Sequence, residues 1–215
     1  MRLVAGLFAT TTVLLAVAAC DRVTEPVATE PPRPLTTTMP SASAAPARCV
    51  KQWGAKPKRE PFLPGFVAPD CPEKGDEITP PPPKEPLRTA TVVFHEATRE
   101  AGAAAPSVTV EVADSGTARQ RGLMMRKSMP ENRGMIFVFE ERRVQEFWMH
   151  NTCIPLDMMF IDKDGFITGI EENVPTMNDN TYASGCPSTY VLEVNAGWSR
   201  KHGVAPGQTV RFEGL

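Results

Sequence analysis

Sixteen of the 22 prolines in this 215-residue chain lie between Asp21 and Arg88, leaving six for the 127 residues that follow. About 5% proline is ordinary, so the crowding marks a stretch that cannot sustain helices or central strands, because proline lacks the backbone donor both require. Regular structure is therefore expected in residues 89–215, enough for one core but not two. Within that part 12 basic residues stand against 16 acidic ones. Without a basic excess or a Lys/Arg stripe there is little to neutralise phosphates, and nucleic acid is excluded as a partner.

The N-terminus reads as an address. Met1-Arg2 is a minimal positive region, and Leu3–Ala19 carries no charge. It ends Leu15-Ala16-Val17-Ala18-Ala19-Cys20, small residues directly before a cysteine, and so resembles the lipobox of bacterial lipoprotein signal peptides. That resemblance implies cleavage of residues 1–19, acylation of Cys20 and an extracytoplasmic protein fastened to a bacterial membrane. Several acyl chains at ~0.8 kcal/mol per buried methylene anchor stably where one does not. Asp21, directly after the anchor, points weakly to the inner membrane.

Residues 20–88 read as a lipidated tether. The run Pro80-Pro81-Pro82-Pro83 favours polyproline II at ~3.1 Å per residue, a semi-rigid spacer. One island, Cys49 to Cys71, encloses Trp53, Phe62, Phe66 and several basic residues. With Cys20 lipidated, Cys49, Cys71, Cys153 and Cys186 remain, and four cysteines allow three pairings. The domain split favours Cys49–Cys71 within the tether and Cys153–Cys186 within the globular part. No Cys/His cluster has zinc spacing, and no cofactor or metal is expected.

Residues 89–215 alternate with period two, as strands do. Strands are expected over 91–94, 108–112, 135–139, 144–150, 157–161, 166–170, 190–194 and 207–212, with a charged turn at 140–143 and a polar loop over 171–188. Ser115 or Asp114 can cap a short helix, and a second short helix fits Ala196–His202. Seven or eight short strands with two short helices predict an α+β, mostly β fold, a compact barrel-like sheet.

Four blocks, TARQRGLMMR (117–126), GMIFVF (134–139), FWMHNTCIPLDMMFID (147–162) and YVLEVNAG (190–197), resemble in order and spacing the bacterial and archaeal family catalogued as domain of unknown function 192. The resemblance spans about residues 105–213. It implies a small mostly-β fold, frequent export and no established activity. His150 stands where the family usually has lysine, and Cys153 where it varies.

Asp157 and Glu193 are acids within apolar strands, and Arg119, Arg121 and Arg126 are candidate bidentate partners. Trp148, His150 and Asn151 lie where a strand enters a loop, a common place for binding groups. The leading expectation is a ligand- or partner-binding module of the cell envelope, with a site lined by Trp148, Asn151, Asp157 and one arginine; its envelope ligand or protein partner is unnamed. A hydrolase or modifying enzyme acting on an envelope polymer, with Asp157 or Glu193 as acid/base, is the alternative. A third is copper handling by Met124, Met125, Met149 and Met158 with His150. Catalytic serine triads, phosphate loops and zinc-protease motifs are absent from the sequence.

Overall fold

The structure, a computed structural model, describes residues 47–97 and 104–215. The leader, Cys20 and Asp21 lie outside the described residues. Among the described residues nine strands and two short helices make a mostly β fold of the α+β type: β1 Thr89–Val93, β2 Ser107–Ala113, α1 Gly116–Arg121, β3 Arg133–Val144, β4 Phe147–Met149, β5 Leu156–Ile161, β6 Ile167–Val174, β7 Asn178–Tyr182, β8 Pro187–Asn195, α2 Trp198–Lys201 and β9 Arg211–Glu213.

Seven strands form one sheet in the order β6-β5-β8-β3-β2-β1-β9, and β4 pairs with β7 in a second. Among the described residues only β2 and β3 run parallel; the intervening α1 is the crossover such a pair requires. The sheet curls without closing into the expected barrel. Its edge strands approach at one end only, where Phe166 bridges Thr209 and Val210 donates to the Gly165 carbonyl at 2.9 Å.

Alternation places a core on each face. The row Val112, Ile136, Leu192, Met159, Ile170 crosses five strands and packs into one apolar cluster with Phe94, Val194 and Trp198. The neighbouring row Glu111, Met135, Glu193, Met158 points the other way, into a second cluster with Leu123, Phe137, Leu156 and Phe160. Gly134 allows β3 and β8 to approach: a Cβ there would meet the Glu193 carbonyl oxygen at 2.5 Å.

Three local expectations are corrected. Residues 140–143 are not a turn but a solvent-exposed extension of β3 past a register shift, where charged side chains face water. The strand expected over 144–150 shrinks to 147–149. The polar loop holds the end of β6 and the whole of β7, whose residues are mostly exposed and so carry no apolar alternation.

The larger correction concerns residues 47–88. They belong to the same compact unit as the sheet, Pro46–Leu215, and run over it as an extended strap. Cys49 bonds Cys186, and Cys71 bonds Cys153; the expected Cys49–Cys71 and Cys153–Cys186 pairs do not form. Prolines bar this segment from helices, yet its carbonyls and side chains still find partners. Lys51 N–H donates to the Thr168 carbonyl at 2.7 Å, Lys51 and Arg59 pair with Glu171, and Arg200 holds the Gly54 carbonyl at 3.1 Å while covering the Trp53 ring. The strap covers β6, a sheet edge whose eight residues are all buried. An edge strand so covered is closed to pairing with other chains.

Candidate functional site

The two acids singled out from sequence never meet. Asp157 pairs in register with Val194 and Glu193 with Met158, so they leave opposite faces of the sheet. Asp157 is fully buried and structural. One carboxylate oxygen accepts from Asn173 N–H at 2.9 Å and Gly197 N–H at 3.0 Å, the other from Ser199 N–H at 3.0 Å. Gly197 at the N-cap of α2 has no side chain to cap it; β5 supplies the cap from outside. Burial pushes the Asp157 pKa up, opposed by those three donors.

Glu193 sits among apolar neighbours of the second cluster. Burial pushes its pKa to about 8, against the pull of the Arg126 charge. Arg126 itself forks onto Glu111, with both contacts at 2.6 Å. The fork holds the Glu111 pKa below its ordinary value. Glu111 and Glu193 flank Met135 in the same cross-strand row, so one ionised and one protonated carboxyl lie on either side of one thioether side chain.

The other arginines do not reach the acids. Arg119 donates to the carbonyls of Asp114 at 2.5 Å and Val138 at 2.9 Å, fixing the start of α1 to β3. Arg121 donates to the Pro80 carbonyl in the strap.

Trp148 and His150 share a face, as alternation requires, and stack with centroids 4.9 Å apart. His150 binds an aspartate with each ring nitrogen, Asp179 and Asp76, both at 2.7 Å. Partial burial disfavours its charge, but the hydrogen bonds and charges of the two aspartates outweigh it, and its pKa rises. Asp76 is pulled down to about 2, chiefly by the Thr79 hydroxyl. Asn151 donates to that hydroxyl at 2.7 Å. Of the residues offered above as ligand contacts, His150 and Asn151 bind the chain's own strap, at Asp76 and Thr79. Trp148 stays partly exposed.

The methionine–histidine set is not assembled: Met149 and Met158 are in the core, and both His150 nitrogens are taken. Among the described residues no group of three or more His, Cys, Asp or Glu side chains is arranged to hold a metal ion.

The structure instead assembles a cleft that single-residue reasoning missed. Its body side is Ala118, Arg121, Met124, Met125, Arg126 and Met135, and strap residues Pro81–Pro83 and Leu87 form the opposite wall. The cavity measures about 410 Å³, ample for a small ligand or several side chains. Apolar surface dominates, with the Arg126–Glu111 pair as its charged corner. The clue in the sequence was the block TARQRGLMMR, whose arginines suggested partners for the acids and whose Met124 and Met125 suggested metal ligands, rather than one shared apolar wall.

Residues 97–212, more than half of the chain, match the family model for DUF192, described as an uncharacterized ACR. A solved protein from Sinorhizobium meliloti 1021, described as a candidate transcription regulator, is 38% identical with a TM-score of 0.56; the match covers 62% of this chain and 100% of that one. A protein of unknown function from Novosphingobium aromaticivorans DSM 12444 is 28% identical with a TM-score of 0.53, covering 58% of this chain and 86% of that one. No curated protein matches. The four blocks, the curled sheet and the matched span make this chain a member of the domain of unknown function 192 family.

Proposed function

We propose that the chain is an exported binding module of the bacterial envelope, fastened through acyl chains on Cys20, that takes its ligand in the cleft between α1, β2, β3 and the strap. The cleft carries the reading: an apolar cavity of about 410 Å³ with one charged pair at its rim has the make-up of a ligand pocket, in which shape supplies affinity and a few polar groups supply orientation. Export is supported by the lipobox resemblance and by two disulfides, bonds that persist in oxidising compartments. The acid/base alternative has lost its pairing, since Asp157 and Glu193 face apart and Asp157 is saturated by backbone donors.

In-cell photo-cross-linking of the full-length lipoprotein tests this. A photoreactive residue at exposed Thr117, on the cleft rim, gives a discrete adduct that Ala118→Trp suppresses; one at Lys163, in the β5–β6 turn, gives none. Identical patterns from both positions contradict the reading. A clickable palmitate analogue labels the protein and fails to label Cys20→Ala; label surviving in that variant removes the anchor.

A further inference from the structure

Beside the cleft, and continuous with it through Arg121, the body already holds a stretch of strap. Gln120 Nε2 donates to the Ile78 carbonyl at 3.1 Å, Arg121 to the Pro80 carbonyl, and Asn151 Nδ2 to the Thr79 hydroxyl at 2.7 Å. Three donors from α1 and the β4–β5 loop thus meet three acceptors on successive strap residues. Proline offers carbonyls and no N–H, so an extended proline-rich segment asks of its receptor only donors and apolar surface. Both are present: among the described residues Arg121 and Gln120 make no carboxylate pair, and Ala118, Met124 and Met125 line the cavity across from Pro81–Pro83.

Two further observations bear on the strap as an occupant: it fills the groove incompletely, and it lies outside the family match. The cavity of about 410 Å³ lies between the prolines and the body, space that a bulkier side chain would occupy. The donors Gln120, Arg121 and Asn151 fall inside the family match, residues 97–212, whereas Ile78–Pro83 falls outside it. The groove belongs to the family body and its occupant to this chain's own extension.

We propose that the groove of Gln120, Arg121, Met125 and Asn151 receives an extended, proline-rich segment of a partner protein, and that Ile78–Pro83 occupies it in cis. This rests on the cleft being the binding site. The strap then acts as a tethered competitor: its high effective concentration holds the groove closed until a better-fitting segment displaces it.

The test uses the processed full-length chain and a synthetic peptide spanning residues 76–87. Replacing Pro80→Ser, Pro81→Gly, Pro82→Ser and Pro83→Gly keeps length and both disulfides while removing the preformed polyproline conformation. By calorimetry this variant binds the peptide at least tenfold more tightly than the wild type, and adding Gln120→Ala and Arg121→Ala lowers that affinity at least tenfold. A folded strap variant that binds no peptide overturns the proposal, as does affinity indifferent to Gln120 and Arg121, or a dimer that exchanges straps. Should the strap variant fail to fold, a photo-cross-linker at Met125 in the otherwise wild-type chain reads the same question. Excess peptide converts its adduct from internal to intermolecular, and an adduct that stays internal overturns the proposal. If the peptide arms fail while the Thr117 adduct in cells persists, the cleft is a binding site for something else; if both fail, the cleft reading falls too.

Discussion

Met125 donates its backbone N–H to the carbonyl of Asn151 at 2.7 Å, and both residues hold left-handed backbone, at φ 63° and 49°. Asparagine tolerates that conformation, whereas methionine rarely adopts it. The pairing joins the segment after α1, which lines the cleft through Met125, to the β4–β5 loop, where Asn151 also holds Thr79. Strained backbone persists only where its surroundings over-determine it, and here the surroundings are the strap and the Cys71–Cys153 bond.

Asn151 therefore separates backbone from side-chain effects. Asn151→Gly keeps the left-handed conformation and loses only the side-chain bonds toward Thr79 and Asp76. Asn151→Ala loses conformation and bonds alike and is the more damaging, by about 1 kcal/mol beyond the glycine variant in urea unfolding. Equal losses would mean that the conformation carries no cost.

Replacing Asp157 by asparagine puts an amide N–H₂ against a cage of backbone donors. The account predicts a loss of about 2–4 kcal/mol in chemical denaturation with disulfides intact, because a buried cap then leaves at least one donor unmet. A change under about 0.5 kcal/mol contradicts the capping role.

Glu193 makes stability depend on pH. Folded, it keeps its proton up to about 8; unfolded, it releases it near the ordinary 4.5. Between those values the native state binds more protons than the unfolded chain, so stability falls as pH rises, by up to ~1.4 kcal/mol per unit. Glu193→Gln keeps the shape and removes that slope. Wild-type and variant curves that stay parallel across the window refute it.

His150 contributes stability in the same sense. Its folded pKa lies above the ordinary 6.5, so its gain is complete below that value and lost as pH climbs through the folded pKa. Relative to wild type, His150→Gln is most destabilised in mild acid, and the gap closes in alkali. Amide exchange around Asp76–Thr79 rises over the same range. A gap that does not change with pH contradicts the two-aspartate clamp.

Much of this fold was legible in the chain. The apolar runs 135–139 and 157–161 became β3 and β5, and the alternation of Phe147 and Met149 against Trp148 and His150 put the first pair inward and the second outward. The same period-two logic implies that Asp157 and Glu193 oppose each other, but only once the β5–β8 register is known. What stayed hidden depends on long-range geometry. β7 is a strand because it pairs with β4, not because Asn178–Tyr182 alternates. Disulfide partners 137 and 82 residues apart follow from where the strap lies, and a proline-rich segment carries no periodicity to say so. The cleft was invisible because one of its walls, Pro81–Pro83 and Leu87, is that strap.

Two disulfides clamp the strap across the family body, as an oxidising compartment allows. Non-reducing peptide mapping by mass spectrometry, on protein isolated from its native membrane fraction, tests that most directly. The predicted result is a lipid-modified peptide beginning at Cys20, with Cys49 linked to Cys186 and Cys71 to Cys153. Free thiols on an uncleaved chain, or Cys49 linked to Cys71, would contradict it.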